Sequence, residues 1–266
     1  MSGTDLVFTA SDGASIVYDD EGEGPPFVLV HGYDGMRAHW EFQREALLAA
    51  GHRVVALDLR CHGASEKPRH GQRMARLGQD VRELVDSLGL DGATLVAHSM
   101  GVSVSLAMFA VSGTRRIGRF AAVDQSPKIV NDDEWSWGVR KVTWGNVYDC
   151  VHFRADWGEP DLEPPLPEGS SMSWSWKVFD HDRVKHLLLD HFVADWRDVL
   201  PRIGVPVWVV TGRYSPFYDL AGMEWFANQA PDGKLSVFEK SGHSPHVTEA
   251  AEFNRRLLEF ASSRTS

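Results

Sequence analysis

The stretch Thr94-Leu95-Val96-Ala97-His98-Ser99-Met100-Gly101 decides the fold of this chain of 266 residues. Its first half is a short apolar run, typical of a strand buried on both faces, and the apolar residues 102–111 that follow indicate a helix. Ala97 and Gly101 are small, as the strained backbone of a sharp strand-to-helix turn requires two residues before and after its serine. The stretch therefore predicts a nucleophile elbow, a turn that lifts the Ser99 hydroxyl above the edge of a sheet.

Strands and helices alternate on both sides of this turn. Asp12-Gly13 predicts the turn of an N-terminal hairpin over residues 6–18. The pattern of a buried strand recurs in five further runs, at residues 27–30, 54–57, 120–123, 207–210 and 235–238. Helical spacing of apolar residues marks 74–88 and 253–260. The alternation predicts an α/β fold with a mostly parallel sheet and helices on both of its faces.

Residues 128–199 interrupt the alternation, because no buried-strand pattern occurs there. Prolines within residues 159–169 exclude a helix or an inner strand, whereas residues 182–199 have the spacing of a helix that leads back to the sheet. Seven of the ten tryptophans belong to this region: Trp135, Trp137, Trp144, Trp157, Trp174, Trp176 and Trp196. We therefore predict a core of residues 1–127 and 200–266, with an inserted helical, tryptophan-rich cap over residues 128–199.

Charge and hydropathy narrow the classes of partner. The chain has 27 basic and 37 acidic residues and a net charge of −10, so it offers no basic stripe to a nucleic acid or an anionic membrane. The N-terminus lacks the pattern of a signal peptide, and no apolar run reaches the roughly 18 residues of a membrane span, so a cytoplasmic location is expected. The expected partner is a small apolar or aromatic substrate, bound by a monomer or a homodimer.

The cysteine content argues against a disulfide framework. Cys61 and Cys150 are the two cysteines of the chain, and neither belongs to a CxxC pair. We therefore expect two structural thiols rather than disulfides or a metal site built on thiolates. No cofactor and no metal are predicted.

A loop after the first buried strand supplies a candidate oxyanion hole. His31-Gly32-Tyr33 directly follows that strand. In a sheet with a nucleophile elbow, the backbone N–H groups of Tyr33 and Met100 would together bind a developing oxyanion. His31 itself is predicted to orient the loop.

The loop after the last strand supplies a candidate general base. It reads Ser241-Gly242-His243-Ser244-Pro245-His246. Either His243 or His246 could be the base. Glycine before His243 permits close approach to Ser99, which favours His243. His246 and His98 are predicted to line the substrate pocket.

The acid that orients the base has an unusual predicted position. Its usual place is the loop after the strand at 207–210, but that loop has Ser215 where a carboxylate is expected. The preceding strand ends in Asp124, at the edge of the sheet where catalytic groups gather, so Asp124 is the predicted acid. Asp219 remains open as a rival.

Aromatic residues close to Asp124 in sequence are candidates for the pocket walls. Trp135 and Trp137 follow it most closely among the tryptophans of the predicted cap. Their flat apolar rings suit an aromatic substrate. We therefore predict that both line the substrate pocket.

With these elements in this order, the whole chain resembles the α/β-hydrolase fold. Ser99, Asp124 and His243 follow the order of nucleophile, acid and base in that family. The early acid is similar to that of two subgroups, the cofactor-independent 3-hydroxy-4-oxoquinoline and -quinaldine 2,4-dioxygenases and the zearalenone-type lactonases. Residues 124–128 resemble the segment that follows the acid in the lactonases, and His98-Ser99 resembles the His-Ser pair of the dioxygenases.

The resemblance implies two alternative chemistries. A hydrolase of an ester or lactone with a bulky apolar or aromatic body would use Ser99 as nucleophile. A dioxygenase would need only the pair of His243 and Asp124, which would deprotonate a 3-hydroxy-4-quinolone so that its anion reacts with O2 and releases CO. Met100 is typical of ordinary hydrolases, so hydrolysis is the leading hypothesis. A receptor that binds a small hydrophobic molecule without turnover is the third.

Overall fold

The computed structural model describes residues 3–156, 158–159 and 162–263, without the side chains of Trp174 and Trp176. Eight strands form one sheet: β1 (Gly3–Thr9), β2 (Ser15–Glu21), β3 (Pro26–Val30), β4 (Arg53–Leu57), β5 (Ala93–His98), β6 (Ile117–Val123), β7 (Val207–Gly212) and β8 (Gly233–Phe238). The described helices are α1 (Glu41–Ala49), α2 (Met74–Ser87), α3 (Met100–Ser112), α4 (Val147–Val151), α5 (Met172–Val178), α6 (His181–Val193), α7 (Leu220–Gln229), α8 (Pro245–Thr248) and α9 (Ala250–Ser262). Each predicted strand lies within an observed one.

The sheet is mostly parallel, with the order β1-β2-β4-β3-β5-β6-β7-β8. Strand β2 pairs antiparallel with both β1 and β4, whereas the pairs from β4 through β8 are parallel. The predicted α/β fold is therefore confirmed. Because the carboxyl ends of the parallel strands meet at one edge, the loops after them come together there.

Helices cover both faces of the sheet. Residues of β3 alternate between the two layers, since Val28 and Val30 pack in the cluster that contains α2 and α3. Phe27 and Leu29 pack in the cluster that contains α1 and α9. Burial on both faces explains why β3 is a continuous apolar run rather than an alternating one.

The insertion, residues 128–199, holds α4, α5 and α6, and its described residues add no strand to the sheet. Helix α6 is shorter than predicted and ends at Val193. The chain becomes extended at Ala194, and the Trp196 N–H then donates to the Pro127 carbonyl at 2.9 Å. This bond ties the end of the insertion to its start. In the described part of the chain, no helix combines the length and the apolarity that a membrane span requires.

Gly101 lets α3 approach β3, which is why a side chain there should destabilise the fold. A Cβ atom at Gly101 would lie 2.6 Å from the carbonyl oxygens of both Val30 and His31. We expect Gly101→Ala to lower the free energy of unfolding by about 1–3 kcal/mol in urea titrations. At Gly204 the nearest atom would be 3.6 Å away. The control Gly204→Ala should therefore stay within about 0.5 kcal/mol of the unsubstituted protein, and equal stability of the two variants would contradict the account.

Candidate active site

Ser99 occupies the predicted turn between β5 and α3. Its backbone has φ 52° and ψ −127°, a left-handed conformation that few residues with a side chain adopt. The Ser99 N–H donates to the Val123 carbonyl at 2.9 Å, and the Val102 N–H donates to the Ser99 carbonyl at 2.8 Å. A Cβ atom at Gly32 would lie 2.9 Å from the Ser99 Cβ. The neighbouring loop therefore packs directly against the serine and fixes its position.

Ser99 and His243 line one cavity of about 470 Å³. Its walls are mostly apolar, and most of the apolar lining comes from the insertion: Ile129, Val139, Phe153, Ala155, Leu166, Met172, Leu188 and Phe192. Pro216, Phe217 and Tyr218 line it from the loop after β7. An apolar cavity with a few convergent polar groups is typical of a small-molecule site.

The carboxylate of Asp124 is buried and accepts three hydrogen bonds. His243 Nδ1 donates to Oδ2 at 2.7 Å, Ser215 Oγ donates to the same oxygen at 2.8 Å, and Thr211 Oγ1 donates to Oδ1 at 2.6 Å. Because Nδ1 carries the proton of this bond, Nε2 of the neutral ring is an acceptor. In the sequence, Ser215 stands out only because a carboxylate is expected at its position, whereas in the structure its hydroxyl and that of Thr211 hold the Asp124 carboxylate in place.

Two backbone N–H groups at the site have no partner among the described residues. They belong to Tyr33, after β3, and to Met100, at the first position of α3. His31 fixes the first loop, since its Nδ1 donates to the Gly32 carbonyl at 2.7 Å and its Nε2 accepts from the Leu59 N–H at 2.9 Å. Unpaired donors of this kind are ready to bind an oxyanion.

No described group forms a hydrogen bond with the hydroxyl of Ser99. Catalytic hydrogen bonds between serine and histidine are often long without substrate and tighten in the complex. The loops around Ser99 thus bring together a hydroxyl, an imidazole oriented by a carboxylate and a pair of N–H donors, those of Tyr33 and Met100. This set can carry out nucleophilic attack on a carbonyl group with general base assistance.

Glu163 of the insertion holds the backbone of the loop that contains His243. The sequence did not reveal this contact. The His243 N–H donates to both carboxylate oxygens, at 3.0 and 2.8 Å. A Cβ atom at Gly242 would lie 2.5 Å from a carboxylate oxygen, so glycine is required for this approach. Burial raises the pKa of Glu163, while its bonds to His243 and Ser244 act in the opposite direction. No pattern in the proline-rich sequence around Glu163 points to this contact.

Asp34, also missed in the sequence analysis, faces the cavity without a hydrogen-bond partner among the described residues. It directly follows Tyr33 and has φ 58°. Burial raises the pKa of Asp34 to about 7, and a positive charge on His243 would act in the opposite direction. A charged residue next to a candidate oxyanion hole is the signal that could have identified it.

The rival acid and the two predicted pocket histidines lie elsewhere. Asp219 forms an ion pair with Arg140 of the insertion rather than with His243. His98 is buried beneath the site, where its Nε2 donates to the His243 carbonyl at 3.0 Å. His246 is also buried and packs its ring against Trp40 and His98. Neither histidine is among the described lining residues, so the prediction that they line the pocket is corrected: both support the His243 loop.

The prediction that Trp135 and Trp137 line the pocket is also corrected, since neither residue is among the described residues of the cavity lining. Both rings instead pack against Trp225 of α7, and the Trp135 Nε1 donates to the Lys128 carbonyl at 3.0 Å. These contacts attach the insertion to the core. Trp157 and the side chains of Trp174 and Trp176 lie outside the described residues.

Comparison with known proteins finds relatives along nearly the whole chain. A profile of the alpha/beta hydrolase family matches residues 27–256. A non-heme chloroperoxidase from Streptomyces lividans is 34% identical over 96% of this chain and 99% of its own. A bifunctional esterase/perhydrolase from Acinetobacter calcoaceticus is 28% identical over 95% of this chain and 98% of its own. Among solved structures, an esterase from Exiguobacterium antarcticum has the same fold, with a TM-score of 0.87 at 23% identity over 98% of this chain and 100% of its own.

The carboxyl of Asp34 should make the stability of the protein depend on pH. Its pKa is about 7 in the folded protein against an ordinary value of 3.8, so the unfolded chain loses this proton at lower pH than the folded one. The cost to the stability of the folded protein is absent below the lower value, grows as the pH rises between the two, and is greatest above the higher one. The other titratable groups that line the cavity are Tyr33, Asp156, Glu163, His191, Tyr218 and His243.

Asp34→Asn removes this cost, because the amide carries no charge. Urea unfolding of both proteins between about pH 4 and pH 8 should show the variant gaining stability relative to the unsubstituted protein as the pH rises. The same series on Asp232→Asn, which removes an exposed carboxyl, corrects for the general loss of one charge. A stability difference between Asp34→Asn and the unsubstituted protein that stays constant with pH would contradict the account.

Proposed function

The chain belongs to the alpha/beta hydrolase family, and on that premise we propose that it hydrolyses a carboxylic ester or lactone with a bulky apolar or aromatic body. Ser99 is the nucleophile, His243 the general base and Asp124 the acid that orients it. The bond of 2.7 Å between His243 Nδ1 and Asp124 Oδ2 carries this proposal, because it leaves Nε2 of a base in the same cavity as the elbow serine. Relatives named as esterases support the same reaction class.

The reaction proceeds in two halves. Ser99 Oγ attacks the carbonyl carbon while His243 Nε2 takes the hydroxyl proton, and the oxyanion accepts hydrogen bonds from Tyr33 and Met100. The C–O bond to the alcohol then breaks, and His243 returns the proton to the leaving oxygen. Water attacks the acyl-enzyme with its proton going to His243, and Ser99 leaves with a proton to restore the enzyme. Asp124 stabilises the imidazolium in each half.

The cavity supports the substrate class. A volume of about 470 Å³ with mostly apolar walls suits a compact ring system or a branched chain better than a polar metabolite. The aromatic rings of Phe217 and Tyr218 add flat surfaces near His243, and Tyr33 also lines the cavity. The ester or lactone bond lies at Ser99, and the apolar body extends toward the insertion.

Ser99→Ala separates hydrolysis from the alternative dioxygenase chemistry. We expect the variant to lose ester and lactone turnover by a factor on the order of 10⁴ or more, because no other nucleophile lies at the elbow. A panel of aryl esters, lactones and 3-hydroxy-4-quinolones, assayed with an oxygen electrode, provides the measurement. Oxygen uptake on a quinolone that survives in Ser99→Ala but not in His243→Ala would overturn the proposed hydrolysis in favour of the dioxygenase.

Two aspartates test the position of the acid. Asp124→Asn should lower kcat for the ester substrate by a factor on the order of 10³ or more, since an amide cannot stabilise the imidazolium of His243. Asp219→Asn removes a charge from the loop after β7 and should leave kcat within about twofold. The reverse pattern, with Asp219→Asn as the damaging change, would show that the acid is misassigned.

A further inference from the structure

Asp34 has a partly buried carboxyl that the proposed mechanism does not use. Its carboxyl lines the catalytic cavity, and no described residue forms a hydrogen bond with it. A carboxylate that is partly withdrawn from water and has no protein partner lowers the stability of the folded protein, and a ligand in the cavity could supply the missing partner. Asp34 directly follows Tyr33, which places it beside the oxyanion hole.

The backbone conformation at position 34 does not explain why this residue is an aspartate. Asp34 has φ 58°, a left-handed conformation in which aspartate and asparagine are both favoured. Asparagine would meet the same conformational requirement without a charge. The negative charge at position 34 therefore points to an interaction with a ligand in the cavity.

The rest of the cavity has the properties of a cation site. Asp156 adds a second carboxyl, and the described lining residues include neither lysine nor arginine. His191 is neutral near pH 7, because burial lowers its pKa to about 3. The rings of Tyr33, Phe217 and Tyr218 offer aromatic faces, which attract alkylammonium groups through cation–π interactions.

We propose that Asp34 binds a positively charged amine of the substrate, so that the substrate class is esters or lactones whose apolar body carries an ammonium group. This inference rests on the proposed hydrolysis at Ser99. Asp34 is then a specificity residue: its carboxylate gains a partner when the substrate enters, and an anionic substrate is repelled. Binding of the ammonium favours the deprotonated form of the carboxyl, which burial disfavours in the empty cavity.

The test uses pairs of esters that have nearly the same shape and differ in charge. Butyrylcholine and 3,3-dimethylbutyl butyrate differ in charge on the alcohol side of the ester. Betaine ethyl ester and ethyl 3,3-dimethylbutanoate differ in charge on the acyl side. We would measure kcat/KM for all four at about pH 8.5, where Asp34 is ionised. Taking the charged-to-neutral ratio within each pair removes effects of the variant on folding and on general catalysis.

For at least one pair, the ratio should fall by at least about tenfold from the unsubstituted protein to Asp34→Asn. Asp232→Asn, which removes an exposed carboxyl, should keep the ratio of the unsubstituted protein. Unchanged ratios for both pairs in Asp34→Asn would overturn the inference. If the ratios are unchanged because kcat/KM falls equally on charged and neutral esters, Asp34 acts on His243 rather than on the substrate.

A binding measurement separates this inference from the proposed reaction. Calorimetric titration with phenyltrimethylammonium needs no turnover, and Asp34→Asn should weaken its binding by at least about tenfold. Such weakening in a protein that hydrolyses no ester would support the cation site and overturn the proposed hydrolysis. Ester turnover with equal binding of the ammonium by both proteins would overturn the cation site alone.

Discussion

The buried carboxylate of Asp124 is the constraint on which the rest of the site depends. A charge removed from water must be compensated by hydrogen bonds, and donors from β7, from the loop after it and from the histidine loop all converge on it. The sheet makes this convergence possible, since β6 and β7 are parallel and Val123 pairs with Val210. Residues that directly follow these two strands must therefore lie side by side. Ser215, at the position where a carboxylate is expected, donates a hydrogen bond to Asp124, the carboxylate that follows the neighbouring strand.

Local patterns were sufficient to predict the sheet and the residues at its edge. Buried parallel strands are continuous apolar runs, and a serine flanked by small residues between a strand and a helix is typical of an elbow, so β5 and Ser99 could be recognised from sequence. The positions of Asp124 and His243 followed from the ends of strands. Helix α1 was not predicted, because its buried face includes the polar Gln43, whose amide donates to the His246 carbonyl at 2.7 Å. Such a contact joins residues far apart in sequence, and no local pattern encodes it.

The roles of the tryptophans and of two acids depended on tertiary packing. An indole has a large apolar surface, and sequence position cannot decide whether that surface meets substrate or another helix. Trp135 meets Trp225, and its N–H has a backbone acceptor. Glu163 and Asp34 both have partly buried carboxyls that line the cavity with His243, but their environments differ: Glu163 accepts backbone N–H groups, whereas Asp34 faces the cavity. Glu163 connects the insertion to the His243 loop. Asp34 has a raised pKa, and its proposed ligand would account for a carboxyl at a position where it lowers stability.

The most direct test of the account is the low-field proton NMR spectrum of the protein labelled with ¹⁵N-histidine. The proton shared by His243 Nδ1 and Asp124 should give a resonance far downfield of the amide region, because a strong bond to a buried carboxylate deshields it. The account predicts that this resonance is coupled to a histidine ¹⁵N, disappears in Asp124→Asn and in His243→Ala, and persists in Asp219→Asn. A resonance that survives in Asp124→Asn, or one that is lost in Asp219→Asn, would contradict the central role of Asp124.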